Sequence, residues 1–231
     1  MPDKNSLTYF RRALLDWFPV NGRAFPWRDE EVTNYELIIS EILLQRTRAE
    51  SVARYYGTFF GAYPDWESLA GAGLEELEEI LRPLGLYRHR ARRLYRIIEE
   101  YRESRGVMPA NRNQLQESNL AALYLSNAYE LFVLKHRSAL LDVNMSRVFS
   151  RYFNVQHEKD VRHNREMREL ARVVTNVKRC RELNWAILDF AALVCRPTKP
   201  KCEGCVLRKK CAYYHLVKAP VNQHEMGQDY P

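Results

Sequence analysis

Four cysteines crowd into one short stretch near the C-terminal end, spaced Cys195-x6-Cys202-x2-Cys205-x5-Cys211, and few folds tolerate that arrangement. Thiolates this close repel one another, so they need a cation, either a tetrahedral zinc ion or a cubane iron–sulfur cluster. Only the Cys202/Cys205 pair has the short spacing of a zinc knuckle, and the long first gap suits wrapping a larger body. A 4Fe-4S cluster is therefore the expected cofactor, with Cys195, Cys202, Cys205 and Cys211 as its ligands and a zinc staple as the alternative. Pro197 and Pro200 tighten the first loop. The fifth cysteine, Cys180, lies apart and is read as a buried apolar thiol. An odd count clustered in this way argues for reduced ligands and against a secreted disulfide framework. Arg196, Lys199, Lys201, Arg208, Lys209 and Lys210 surround the cluster segment against Glu203 alone. Those cations can meet phosphates or balance the charge of a thiolate-bound cluster.

Elsewhere the apolar residues recur at three and four far more often than they alternate, and glycine and proline number only 9 and 10. That periodicity predicts an all-α protein. Helices are expected at 5–18, 34–46, 48–62, 66–71, 74–81, 87–104, 111–117, 121–136, 142–152, 163–173 and 181–193. With 231 residues, 46% of them hydrophobic, the chain can bury one large core or two smaller ones. No apolar run approaches the roughly 20 residues that cross a bilayer, and the N-terminus has no signal-peptide character, so a soluble, intracellular (cytoplasmic, nucleoid-associated) monomer with no membrane partner is expected. Lys and Arg exceed Asp and Glu by 36 to 29, which leans towards an anionic partner.

Three further segments carry chemistry. Residues 82–105 hold eight arginines, and the segment opens with Pro83-Leu84-Gly85-Leu86-Tyr87, where the glycine allows a tight helix entry. Leu86 and Tyr87 at such a turn can wedge into a base stack beside phosphate-binding arginines such as Arg90; beyond Arg93 a solvated basic face is the simpler reading. In Ile38-Ile39-Ser40-Glu41-Ile42-Leu43-Leu44-Gln45-Arg46-Thr47 a lone carboxylate is embedded in an apolar helix, which suits a general acid or a paired structural glutamate. Asp142 stands where an apolar stretch ends and a new helix begins, a position that also suits an N-cap.

Taken together, these residues resemble the helix-hairpin-helix DNA glycosylase superfamily, in the branch that holds endonuclease III and MutY, and most nearly its archaeal thymine/uracil–G mismatch glycosylases. The likeness runs from about Phe10 to Tyr214. It is carried by Asn21-Gly22-Arg23-x-Phe25-Pro26-Trp27-Arg28, Ser40-Glu41-x-Leu43-Leu44-Gln45-Arg46-Thr47, Gly85-Leu86-Tyr87 leading to Arg90-Ala91, Leu141-Asp142-x-Asn144, and the cysteine spacing. The first of these motifs resembles the MutY and mismatch branch rather than endonuclease III.

The resemblance implies two helical lobes with a base pocket between them: a helical barrel domain at 33–141, a cluster domain formed by 1–32 with 142–220, and a loose tail at 221–231. It implies double-stranded DNA with a mismatched or damaged base as partner. Asp142 and Glu41 match the family's catalytic carboxylates. Gln45 and Arg46 match the residues that enter the stack, with Thr47 next to them in the same motif; Leu86, Tyr87, Arg90 and Lys209 are expected DNA contacts from the turn and the basic segments in which they stand. Counted back from Asp142, Tyr124 falls where endonuclease III has its Schiff-base lysine, MutY a serine and the mismatch thymine glycosylase a tyrosine. A phenol cannot form an imine, so the implied enzyme is a monofunctional N-glycosylase acting on thymine or uracil opposite guanine in base excision repair. The alternatives are a MutY-like adenine glycosylase lacking its C-terminal domain and a non-catalytic DNA-binding homologue. One segment departs from the family: where it has Leu-Pro-Gly-Val-Gly, this chain reads Ser118-Asn119-Leu120-Ala121-Ala122. Side chains there imply a reshaped hairpin or a weaker grip on DNA.

Overall fold

The computed structural model describes residues 2–156 and 164–218; the tail expected at 221–231 lies outside the described residues. Eleven α-helices are formed among these: α1 Lys4–Asn21, α2 Asn34–Leu44, α3 Ala49–Ala62, α4 Trp66–Gly71, α5 Leu74–Leu81, α6 Tyr87–Glu103, α7 Arg112–Glu117, α8 Leu123–Phe132, α9 Val143–Phe153, α10 Arg165–Thr175 and α11 Cys180–Leu193. No strand is formed among the described residues. Two bounds differ from expectation by three residues or more. Helix α1 continues through Pro19, which lies in its last turn and forgoes one i→i−4 bond there, and Gly22 closes it by donating to the Phe18 carbonyl. Helix α8 stops at Phe132 because the Val133 and Leu134 amides both converge on the Tyr129 carbonyl and Lys135 turns left-handed.

The chain divides into two compact units. One holds the described residues of Met1–Gly22, Leu141–Val174 and Glu182–Pro231; the other holds Arg23–Leu140 with Thr175–Arg181. Segment 23–32 therefore belongs with the barrel helices and not, as expected, with the N-terminal helix. The reason is apolar: Phe25 and Trp27 stack face to face at 4.6 Å and are part of the barrel core. Arg23 and Arg28 lie over the Phe25 ring, and Arg23 also pairs with Glu50 of α3.

Within the barrel unit α2 is the central element. Tyr35, the run from Leu37 to Leu43 and hence Glu41 are all buried, as a helix that is apolar nearly all round must be. Thr33 and Glu36 start it with a reciprocal capping box. α8 packs on α2, and α6 packs on α5 with its Ala91, Leu94, Ile97 and Ile98 face inward. In the other unit Phe10 of α1 packs against Phe149, Tyr152 and Phe153 of α9, and Trp17 meets Phe190 of α11 edge-on. No helix among the described residues is long and apolar enough to cross a membrane.

Candidate active site and nucleic-acid interface

Glu41 is 4% exposed and is carried inward by the largely apolar α2. The Tyr124 hydroxyl, on the first turn of α8, donates to Glu41 Oε2 at 2.9 Å. The α2–α8 packing thus brings together two of the three residues singled out as catalytic. Neighbouring Ser40 is wholly buried, and its hydroxyl makes no hydrogen bond among the described residues.

Asp142 belongs to the other unit and caps α9. Its Oδ1 accepts from the Asn144 and Met145 amides at 2.9 and 2.7 Å, and its Oδ2 from the Asn144 side-chain nitrogen at 2.6 Å. Burial raises its pKa, against the opposite pull of these bonds and of nearby Arg147. The cap is also the start of a polar chain that the sequence did not announce. Arg147 donates to Asn144 Oδ1 at 3.1 Å and to the carbonyl of Cys195 at 3.0 Å.

Past α2 the chain makes a turn in which Gln45 and Thr47 are half-buried and Arg46 is exposed with φ +57°. A second turn, before α6, contains Gly85 at φ +69° and Leu86 at φ +51°, with the Leu86 side chain 50% exposed. Left-handed backbone at a non-glycine residue costs about 1–3 kcal/mol and gathers at functional sites. Tyr87 is flanked by the guanidinium groups of Arg82 and Arg88 over its ring. Arg90, expected to meet DNA phosphate, is instead 5% exposed. It donates to the carbonyls of Gly85, Ile42, Leu43 and Gln45 and to the Thr47 hydroxyl. Its donors are consumed by the protein, and it ties the two exposed turns to one another. Arg93, not among the expected DNA contacts, donates to Gln45 Oε1 at 2.6 Å.

The segment at the family's hairpin position also differs from the pattern. No residue from Ser118 to Ala122 has positive φ. The Asn119 amide donates to Glu100, the Leu120 amide to the Ser118 hydroxyl and the Ala121 amide to the Ser118 carbonyl. These three donors point to protein groups.

Cys195, Cys202, Cys205 and Cys211 line a single cavity together with apolar Val148, Phe190 and Leu207. Among the described residues no three His, Cys, Asp or Glu side chains converge as one metal ion would require. Burial pushes the Cys205 thiol up to about 11 and raises Cys211, so four thiolates here need a positively charged body to be stable. Four cysteines on one cavity supply a donor set that fits a thiolate-bound metal centre. Arg151 Nη1 lies 3.5 Å from Cys195 Sγ and donates to the Arg196 carbonyl at 2.7 Å, closing the first loop. Lys209 is exposed on the short 3-10 turn Arg208–Lys210, whereas Lys210 lies over the Tyr9 ring. Cys180 is buried, with its thiol 3.4 Å from the Ser138 carbonyl.

The profile of the HhH-GPD superfamily of base excision DNA repair proteins matches residues 39–174. The chain is 32% identical to the thymine/uracil-DNA glycosylase of Methanothermobacter thermautotrophicus, over 89% of this chain and 93% of that one. It is 28% identical to the adenine DNA glycosylase of Buchnera aphidicola subsp. Schizaphis graminum, over 93% of this chain and 63% of that protein. Among solved structures, a thermostable thymine-DNA glycosylase superposes with a TM-score of 0.82 at 30% identity, covering 91% of this chain and 97% of that one.

Proposed function

The chain belongs to the HhH-GPD superfamily of base excision DNA repair proteins, and from that membership we propose that it is a monofunctional DNA glycosylase that hydrolyses the N-glycosidic bond of thymine or uracil mispaired with guanine. The observation that carries this reading is the Tyr124–Glu41 hydrogen bond. It puts a phenol against the buried carboxylate at the position where a bifunctional relative would need an amine. A phenol cannot condense with the opened sugar, so the strand is left intact at an abasic site. The names of the relatives support the base: thymine and uracil in the archaeal protein, thymine in the solved structure.

In this reading the target nucleotide is extruded from the duplex, at a cost of a few kcal/mol that is least for a mispair. The Asp142 carboxylate, fixed by its three capping bonds, stabilises the oxocarbenium-like sugar as the base leaves. Glu41 orients the attacking water or relays its proton, and the Tyr124 hydroxyl holds the Glu41 carboxylate in place while facing base or sugar. Gln45, Arg46, Thr47, Leu86 and Tyr87 form the turns that enter or flank the stack, and Lys209 meets phosphate. The same proposal places a 4Fe-4S cluster on Cys195, Cys202, Cys205 and Cys211, supported by the cavity they share. When bound, that cluster supplies a four-point cross-link of the C-terminal loop.

A second reading, adenine excision, is favoured by the likeness to the Buchnera enzyme. A strand-incision panel on T:G, U:G and A:G duplexes, each treated with hot alkali, separates the two. Cleavage of T:G and U:G alone is the expected result. Cleavage of A:G alone would replace the proposal with the second reading, and no base release from any duplex would leave a DNA-binding protein without this chemistry.

A further inference from the structure

Helix α6 carries three arginines whose charge the fold leaves without a counter-charge. Arg92, Arg93 and Arg96 share the side of the helix that lies away from buried Leu94, Ile97 and Ile98. Arg96 Nε donates to the Arg92 carbonyl at 3.4 Å, which folds that side chain back along the helix towards the other two. Arg93 is half-buried and donates to Gln45 Oε1 at 2.6 Å. Burial, and after it the like charge of Arg96, lower the Arg93 pKa.

The acid best placed to neutralise the group is committed elsewhere. Glu100, at the i+4 position that usually pairs with an arginine, accepts instead from the Asn119 amide at 2.7 Å. Among the described residues Arg92 and Arg96 have no ion pair, although both are exposed and stand at i and i+4, where like charges repel. Other arginines of the same segment are satisfied: Arg82 pairs with Glu79, Arg88 with Glu78, and Arg102 donates to the carbonyls of Ala70 and Ala72.

The place of the cluster points to its partner. On one side Arg93 holds Gln45 of the turn after α2, and on the other the Asn119 side chain donates to the Arg96 carbonyl at 3.1 Å, seating segment 118–122 against the same turn of α6. The Asn119, Leu120 and Ala121 amides are consumed by Glu100 and Ser118, so they offer a phosphate nothing. Unpaired guanidinium forks beside them offer it charge and several donors at once.

We propose that Arg92 and Arg96 form a binding site for DNA backbone phosphate, and that these two side chains, rather than the backbone amides of 118–122, supply the barrel unit's grip at this place. This rests on the glycosylase reading above and deepens it. A phosphate contact carries no sequence information, so the site sets affinity and register and leaves the choice of base to other groups.

The test measures binding of the full-length protein, by fluorescence anisotropy between about 50 and 200 mM salt, to a duplex with a tetrahydrofuran abasic analogue and to the same duplex undamaged. No bond is broken in this assay, so it reads the grip even if base release fails. Arg92→Ala and Arg96→Ala should each lower the log–log salt slope by about one unit, and the double substitution by about two, equally on both duplexes. Arg92→Lys and Arg96→Lys keep the charge and should keep the slope, which separates a lost contact from a damaged fold. Arg12→Ala, which removes an 84% exposed cation from α1, should leave the slope unchanged. If the duplexes still bind but both alanine variants keep the wild-type slope, or Arg12→Ala lowers it as much, the assignment is overturned and the glycosylase reading stands. A wild type with no affinity for either duplex would overturn both.

Discussion

At Asp142 the same carboxylate that caps α9 is desolvated enough for its pKa to rise, so the folded protein holds its proton more tightly than the unfolded chain does. The ionised group therefore costs stability as pH climbs through the raised value, and that cost is absent below the ordinary aspartate range near 3.9. Asparagine is as good an N-cap as aspartate and carries no charge to desolvate. Asp142→Asn should thus melt at the wild-type temperature or above it at pH 7, with the difference fading in acid. Base release should fall by about 10²–10³-fold, the usual loss for one electrostatic stabiliser of a developing charge. In the wild type the acidic limb of the rate profile should lie above the ordinary aspartate value. A mutant with near wild-type turnover would remove Asp142 from the mechanism. Tyr124→Lys is the complementary substitution, since it offers an amine where the phenol meets Glu41. Some strand nicking without alkali and a borohydride-trappable adduct should appear. Persistent base release with no adduct would show that position 124 does not face the sugar.

Helix α6 shows how far a helical pattern can be read and where charge misleads. Arg90 falls in the series Tyr87, Arg90, Ala91, Leu94, Ile97, Ile98, the three-and-four spacing of an inward face, so its burial was present in the periodicity. Its charge pointed the other way. The partner carbonyls of Ile42 and Leu43 lie more than forty residues earlier, and no local pattern names them. Arg90→Ala should accordingly leave the log–log salt slope of DNA binding unchanged. It should cost about 3 kcal/mol in denaturant unfolding, because several buried carbonyls lose their donor at once. Lys209→Ala, on an exposed turn, should do the reverse and lower the slope by about one unit with little effect on stability. A fall in slope for Arg90→Ala would return it to the phosphate backbone. The hairpin segment was legible in the same partial way. Its lack of glycine announced a turn without positive φ, but not that Glu100 and Ser118 would take up its amides.

At the scale of the whole molecule, the helix order, the buried Glu41 and the cysteine loop follow from periodicity and spacing, which are local. The membership of segment 23–32 does not, because stacked Phe25 and Trp27 choose their core through tertiary packing. Neither do the Arg93–Gln45 and Arg147–Asn144 contacts, each of which joins polar residues that separately look like solvated surface. The cluster proposal makes its own prediction: purified protein should be brown, with broad iron–sulfur absorption, and Cys202→Ser should lower iron content and thermal stability together. Colourless protein with stoichiometric zinc would contradict it. The central claim, hydrolysis at a site that has a phenol where a lyase has an amine, is tested most directly by incubating wild-type protein with a U:G duplex in the presence of borohydride. The account predicts free uracil, a strand that breaks only after alkali, and no covalent protein–DNA adduct; a trapped adduct with the wild type would contradict it.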